Sequence, residues 1–219
     1  MKIVFATGNR GKLREAQEIL GGAFELVTPA DMGLTEDIPE TGTTIRANSV
    51  QKAEYIHEHL HTDCFADDTG LEVDILGGRP GVHTARYGGP EKDFDANMDR
   101  LLADMGIAEK EASIARSYGL DTTHANRRAR FHTVVTLILG GEMKLFDGVL
   151  EGTIARTKKG NGGFGYDPVF IPDEIPAADG TLVPNTERRT LAELSEEDKN
   201  AISHRGKAMR AMAAALHEQ

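Results

Sequence analysis

Two adjacent carboxylates stand out in residues 64–70, whose sequence is CFADDTG. The apolar residues predict a buried strand and Thr69 and Gly70 predict a tight turn, so Asp67 and Asp68 would lie at the carboxyl end of that strand. Because successive strand side chains point to opposite faces, one carboxylate can face a cleft while the other is held by the fold. Carboxylates at strand ends of α/β sheets commonly handle hard cations and phosphates. An Asp-rich turn without chemistry uses the same residue types.

A second polar segment, TGNRGK at residues 7–12, lies between a predicted strand and a predicted helix. Such a turn places free backbone N–H groups and the positive end of a helix dipole at one point, which favours an anion. Lys12 adds a point charge and Arg10 a planar one. The glycine spacing is too short for a Walker loop, and no Ser or Thr follows the Lys. A plain connector is the alternative interpretation.

Lys52 follows Asn48 by four residues in a predicted helix over residues 45–60, so the two side chains share one side of that helix. The ordinary interpretation is a solvated polar stripe. The functional interpretation places Lys52 near bound phosphates.

The segment GNGGFGYDP at residues 160–168 contains four glycines, two aromatic residues and an acid. Glycines let a backbone pass close to a flat ligand, and Phe164 or Tyr166 can stack on a base. A hairpin loop with aromatic packing explains the same residues equally well.

The elements that must position these residues alternate between strands and helices. Apolar runs predict strands at residues 2–6, 24–27, 131–139 and 143–155, the last two joined by a glycine turn. Residues 93–105 form a predicted helix that turns Phe94, Met98, Leu101 and Leu102 inward. The polar residues 106–128 show no clear period and predict a surface insertion. This order predicts α/β architecture.

Composition limits the class of protein. The 219 residues are 39% hydrophobic and 27% charged, enough for one large folded domain over residues 1–219. The formal net charge of −10 disfavours binding to nucleic acid through a basic face. The single cysteine, Cys64, excludes an intramolecular disulfide and lies in an apolar strand, which predicts a small core residue. No apolar run is long enough for a membrane span, so we expect no membrane partner and a cytoplasmic location.

Taken together, the motifs resemble those of the inosine triphosphate pyrophosphatase family, which clears non-canonical purine nucleotides. The matching segments occur in the family order along nearly the whole chain. They are ATGNRGK at 6–12, ETG at 40–42, FADDTGL at 65–71, GGRPG at 77–81, ARY at 85–87, GGFGYDP at 162–168 and SHRG at 203–206.

The resemblance implies a fold, an assembly and a set of site residues. The fold is an elongated, two-lobed α/β structure whose mixed central sheet is flanked by helices, with the active-site cleft between the lobes, and the assembly is a homodimer. Asp68 is the implied catalytic acid, and Asp68 with Glu40 is expected to bind Mg²⁺. The expected substrate-binding residues are Thr7, Gly8, Asn9, Arg10, Gly11, Lys12, Lys52, Thr69, Phe164, Gly165, Tyr166, Asp167, Lys199, His204 and Arg205.

The implied activity is hydrolysis of dITP, ITP and XTP or dXTP to the monophosphate and pyrophosphate. Asp68 would activate the attacking water, and Asp67 would raise the pKa of Asp68 by repulsion between like charges. Arg205, or a neighbouring N–H group, would select the O6 acceptor of the base.

Three positions depart from the family pattern: Ala47 replaces a frequent Glu, His83 replaces a Tyr, and residues 106–128 are longer than usual. The loss of a carboxylate at Ala47 leaves open a nucleotide-binding regulator without catalysis. A pyrophosphatase for other modified nucleotides is a third interpretation.

Overall fold

The computed structural model describes residues 1–217, in which strands and helices alternate as the sequence predicts. The strands are β1 (Lys2–Phe5), β2 (Glu25–Val27), β3 (Cys64–Val73), β4 (Pro80–Gly81), β5 (Arg128–Leu139), β6 (Glu142–Ile154), β7 (Phe170–Pro172), β8 (Glu174–Pro176) and β9 (Leu182–Pro184). The helices are α1 (Arg10–Leu20), α2 (Ile45–Leu60), α3 (Phe94–Ser117), α4 (Glu196–Ile202) and α5 (His204–His217).

The main sheet is mixed. Its strands are hydrogen-bonded in the order β2-β1-β3-β5-β6-β7, and β4 pairs with β3. β1 runs parallel to both β2 and β3, whereas β4 is antiparallel to β3 and β7 is antiparallel to β6. Strands β8 and β9 form a separate antiparallel pair. The predicted mixed α/β fold is therefore confirmed.

The described chain divides into two compact units. The first contains residues 1–69, 132–149 and 204–217, and the second contains residues 70–131 and 150–203. Strands β3, β5 and β6 each contribute residues to both units.

The first unit packs helices on two faces of its strands. Ile3 and Phe5 of β1 belong to an apolar cluster that includes residues of α1 and α5, whereas Val4 packs with Ala53 and Ile56 of α2. This division follows from the two-residue period of a strand, which sends alternate side chains to opposite faces. All five residues are almost completely buried.

The second unit is built on α3. Met98, Leu101 and Met105 lie along one side of this helix and pack against Leu71 and Val73 of β3. The spacing of three and four residues between the helix side chains is the periodicity of an amphipathic helix. The apolar side of α3 thus forms one wall of this core.

The predicted tight turn after Asp68 is wrong, because β3 continues without interruption to Val73. Leu71 and Val73 are fully buried and extend the apolar alternation, and Leu71 and Glu72 pair with Gly81 and Pro80 of β4. The two carboxylates therefore lie within a ten-residue strand rather than at its end.

The predicted insertion at residues 106–128 is also wrong in its first half, because α3 extends to Ser117. Glu109 on this extension accepts hydrogen bonds from Arg127 and Arg156, and these bonds hold the polar half of the helix to the rest of the second unit. The expected inward position of Phe94 is wrong too, since its side chain is 51% exposed.

Other predictions are confirmed. Helix α2 has the predicted bounds, Cys64 is fully buried, and β5 and β6 are joined at Gly140 and Gly141, whose φ angles of 58° and 83° favour glycine. Across residues 1–217, none of the helices combines the length and the apolar character that a membrane crossing requires. The last two residues of the predicted domain lie outside the described range.

Candidate functional site

The alternation of β3 gives its two carboxylates different neighbours. Asp67 follows Phe65 on the face covered by α1 and α5, and its carboxylate accepts hydrogen bonds from Lys12 Nζ at 2.8 and 3.0 Å. Arg205 Nε, from α5, donates to the same carboxylate at 3.2 Å. Asp67 is 1% exposed, so it is the member of the pair that the fold holds.

Three nearby cations lower the pKa of Asp67. Burial alone raises that pKa, but the charges of Lys12, Arg205 and Lys52 outweigh burial and hold it well below the ordinary value. Arg205 is itself fixed at a second point, because its NH1 donates to Glu15 at 3.2 Å. Asp67 is therefore an ionised anchor for two side chains that the sequence predicts to bind substrate.

Asp68 lies on the α2 side of the strand, with its Oδ1 3.1 Å from Lys52 Nζ. The same ammonium group contacts Glu40 Oε1 at 2.9 Å. The side chain of Lys52 is 8% exposed, so the predicted solvated stripe is wrong for this residue. Two carboxylates thus converge on one buried cation, and these are the two that the sequence predicts to bind a metal.

Burial and the charge of the partner shift the pKa values of Asp68 and Lys52 in opposite directions. Burial is the largest effect on Asp68 and raises its pKa, Lys52 opposes that rise, and Glu40 and Asp67 add to it. The repulsion from Asp67 predicted from the sequence is therefore a minor contribution. The pKa of Lys52 is lowered by burial but raised on balance by Asp68, Asp67 and Glu40, so the ammonium stays charged.

The segment 7–12 begins α1 with a side-chain cap. Asn9 Oδ1 accepts hydrogen bonds from the N–H groups of Gly11 and Lys12 at 2.8 and 3.2 Å. Thr7 Oγ1 accepts from Asn9 N at 3.1 Å. The expectation of free N–H groups is thus wrong for Asn9, Gly11 and Lys12, because the side chains of Thr7 and Asn9 accept from them. Gly8 and Arg10 of the same segment are exposed.

Two further predicted residues belong to the same unit. Thr69 Oγ1 lies 2.7 Å from Thr133 Oγ1, which joins β3 to β5 beside the carboxylates. His204 begins α5, and its pKa is lowered to about 3 by burial and by the charge of Arg205. The imidazole is therefore neutral at physiological pH.

The remaining predicted residues lie in the second unit. The carboxylate of Asp167 accepts a hydrogen bond from Phe164 N at 3.2 Å and pairs with Lys199 Nζ at 3.4 Å. Tyr166 is 4% exposed and its hydroxyl donates to Thr84 O at 2.8 Å, so its ring supports the loop. Phe164 is 67% exposed, so its ring is free to meet a ligand. Gly165, between them, has a φ of +62°.

Burial of Asp167 raises its pKa, although the Phe164 N–H group and Lys199 oppose the rise. Burial lowers the pKa of Lys199, but its hydrogen bond to Glu196 and the charge of Asp167 raise it on balance. The pair therefore brings a cation to the base of the loop that carries Phe164.

Glu15 is a charged contact of Arg205 that the sequence did not single out. It lies three residues after Lys12 on α1, a spacing that places the two side chains on one side of a helix. An acid one helical turn from a predicted substrate-binding lysine is the sequence signal that points to Glu15.

A family model described as the Ham1 family matches residues 3–215. The chain belongs to the Ham1 family. A relative from Flavobacterium johnsoniae, named dITP/XTP pyrophosphatase, is 42% identical over 209 residues, which cover 95% of this chain and 94% of the relative. A Bacillus subtilis relative with the same name is 38% identical and covers 97% of this chain and 96% of its own length.

A solved structure gives the same assignment. A HAM1 protein from Coxiella burnetii superposes with a TM-score of 0.82 at 32% identity, and the match covers 100% of both chains. The resemblance that the motifs carry is therefore confirmed at the level of the family.

Proposed function

We propose that this protein hydrolyses the non-canonical purine nucleoside triphosphates dITP, ITP and XTP or dXTP to the monophosphate and pyrophosphate. Membership of the Ham1 family and the dITP/XTP pyrophosphatase names of its relatives support the reaction. The observation in this chain that carries the proposal is the convergence of Glu40 and Asp68 on one buried ammonium group, beside the cations fixed by Asp67.

Glu40 and Asp68 fit a magnesium ion. One oxygen of each carboxylate lies 2.9 or 3.1 Å from Lys52 Nζ, so the two acids already face a common cation. Within residues 1–217 no cluster of three or more His, Cys, Asp or Glu side chains could hold a metal. Mg²⁺ commonly uses only one or two carboxylates and completes its shell with water and substrate phosphates. When bound, it would neutralise phosphate charge and polarise the phosphoryl group.

Asp68 acts as the base in this mechanism. It takes a proton from the water that attacks the α-phosphorus, the bond to the bridging oxygen breaks, and pyrophosphate leaves. The pKa of Asp68, raised mainly by burial, makes it a better proton acceptor than an ordinary aspartate. Lys52, which contacts Asp68, and Lys12 supply positive charge for the departing phosphates.

Base recognition uses other residues. The exposed ring of Phe164 stacks on the purine, and Asp167 and Lys199 hold the loop that presents it. Arg205 is the proposed donor to the O6 acceptor of the base. Asp67 and Glu15 accept from its Nε and NH1, and these two contacts fix the guanidinium. Adenine presents an amino donor at the same position, so a mismatched donor would be left unpaired.

The experiment is a substrate panel. Pyrophosphate release is measured with ITP, dITP, XTP, dXTP, ATP and GTP, with and without Mg²⁺. We expect release from the first four, loss of activity in EDTA, and the nucleoside monophosphate as co-product. The absence of pyrophosphate from every substrate with Mg²⁺ present would overturn the proposal and favour a nucleotide-binding regulator. Strong preference for a nucleotide outside the first four would instead favour a pyrophosphatase for other modified nucleotides.

The homodimer and the cytoplasmic location remain predictions of the sequence. Light scattering coupled to gel filtration tests the dimer, which should give about twice the chain mass of 23.7 kDa.

A further inference from the structure

Phe94 and Phe164 form a pair of exposed aromatic rings in the second unit. Their centroids lie 6.4 Å apart and their planes are tilted by 50°. Phe94 is 51% exposed and Phe164 is 67% exposed, although both are large apolar side chains. Aromatic pairs at this separation are usually buried, because burying their surface is the main gain from packing them.

The backbone under Phe164 is fixed. Asp167 accepts the N–H group of Phe164 at 3.2 Å, and Gly162 N donates to Ala192 O at 3.3 Å. Gly163 has a φ of +77°, and a Cβ atom at this position would collide with the carboxylate of Asp167. The ring is therefore exposed on a loop whose course is determined by hydrogen bonds and close contacts.

The backbone under Phe94 is fixed as well. Phe94 is the first residue of α3, and Asp93 caps the helix by accepting from Ala96 N at 2.8 Å. Lys158 Nζ contacts Asp95 at 2.9 Å and Asp99 at 2.7 Å, which ties the first turn of α3 to the segment that leads into the Phe164 loop. Two separate elements thus hold the two rings side by side and leave both open to a ligand.

We propose that Phe94 is a second aromatic contact for the purine base, set at an angle to the ring of Phe164. This inference rests on the proposed function. Because the planes differ by 50°, one flat base cannot stack on both rings. A base stacked on Phe164 would meet Phe94 obliquely, so Phe94 contributes apolar contact and excludes water rather than stacking. Such a contact depends on the size of the side chain more than on its aromatic character.

The test compares single substitutions at both rings. F94A should raise the KM for ITP by about two- to tenfold, the range of an oblique aromatic contact, with kcat nearly unchanged. F94L should stay within about twofold of the wild type because it keeps most of the volume. F164A should raise KM by more than F94A does, since it removes the stacked ring. Tyr118→Ala, at the other end of α3 and 79% exposed, is the matched control and should leave KM unchanged.

Measuring inhibition by the two products distinguishes the loss of a contact with the base from a general weakening of the substrate-binding site. F94A should weaken inhibition by IMP, which carries the base, and leave inhibition by pyrophosphate at the wild-type value. Equal weakening of both, or a wild-type KM for F94A while F164A is impaired, would overturn the inference. Absence of wild-type turnover would overturn the proposed function instead, so the two failures are distinguishable.

Discussion

Asp67 and Asp68 are the same residue type at consecutive positions, yet the fold moves their pKa values in opposite directions. Asp67 meets Lys12 and Arg205, and these charges lower its pKa against the effect of burial. Asp68 meets a single ammonium, shared with Glu40, and burial raises its pKa. The period of the strand causes the difference, since it turns the two side chains toward different helices. Asp67 is therefore the acid that the fold holds, and Asp68 is the proposed base.

Replacing Asp68 with Asn should lower kcat for ITP by at least about 100-fold, because the variant lacks the proton acceptor. Thermal melting should show a folded protein. Asp37→Asn, the same chemical change at an exposed position in the loop before α2, should keep wild-type turnover. Retention by D68N of more than about a tenth of wild-type kcat would argue against Asp68 as the base.

Replacing Asp67 with Asn should lower the free energy of unfolding at pH 7 by about 3 kcal/mol, because two cations lose a buried partner. The pKa of Asp67 is lower in the folded chain than its ordinary value of 3.8, so its contribution is fully present above that value. The contribution disappears as pH falls through the lower folded pKa. Urea unfolding at several pH values should therefore show the gap between wild type and D67N closing below about pH 4. A gap that is independent of pH would contradict this role.

At the scale of elements, local patterns predicted some segments and missed others. Helix α2 and the β5–β6 hairpin follow from apolar periodicity and a glycine turn, and both match the structure. The continuation of β3 was missed because Thr69 and Gly70 are ordinary turn residues, and only pairing with β4 and burial of Leu71 keep the strand extended. The second half of α3 was missed because its exposed sides are polar and charged.

Gly148 of β6 lies where this strand packs closely against α5, and a substitution there tests that packing. A Cβ atom at Gly148 would collide with the carbonyl oxygen of His204 and lie 2.7 Å from Ala208 N. Gly148→Ala should therefore displace the start of α5, lower the free energy of unfolding by about 1–3 kcal/mol and reduce turnover through Arg205. Gly22→Ala, where a Cβ atom meets nothing within 4 Å, is the matched control. Equal melting temperatures for the two variants would contradict this packing.

At the scale of the whole molecule, the contacts that could not be predicted from the sequence join residues that are far apart along the chain. Arg205 and Asp67 are separated by 138 positions, and Lys12 and Asp67 by 55. The motifs identified all three as important, but no local pattern shows that an acid of the strand binds both cations. Long-range pairs of this kind depend on the finished topology, which brings α1 and α5 to the same face of β3.

Because strands β3, β5 and β6 each contribute residues to both units, we expect the two units to unfold together. Met105→Ala creates a cavity in the core of the second unit and should cost about 2–5 kcal/mol. Cys64 is the only cysteine and is buried in the first unit, so its labelling by a thiol reagent reports the opening of that unit. We expect M105A to lower the urea midpoint of Cys64 labelling as much as that of circular dichroism. An unchanged labelling midpoint would show that the units unfold independently.

The burial of Cys64 has a consequence for how the protein tolerates oxidants. Its pKa is raised to about 12, chiefly by burial, so almost no reactive thiolate exists at physiological pH. The sulfur atoms of Met98, Met105, Met209 and Met212 belong to side chains that are at most 3% exposed. Peroxide therefore has little sulfur to attack in the cores, and we expect the enzyme to withstand redox stress that inactivates proteins with accessible thiols.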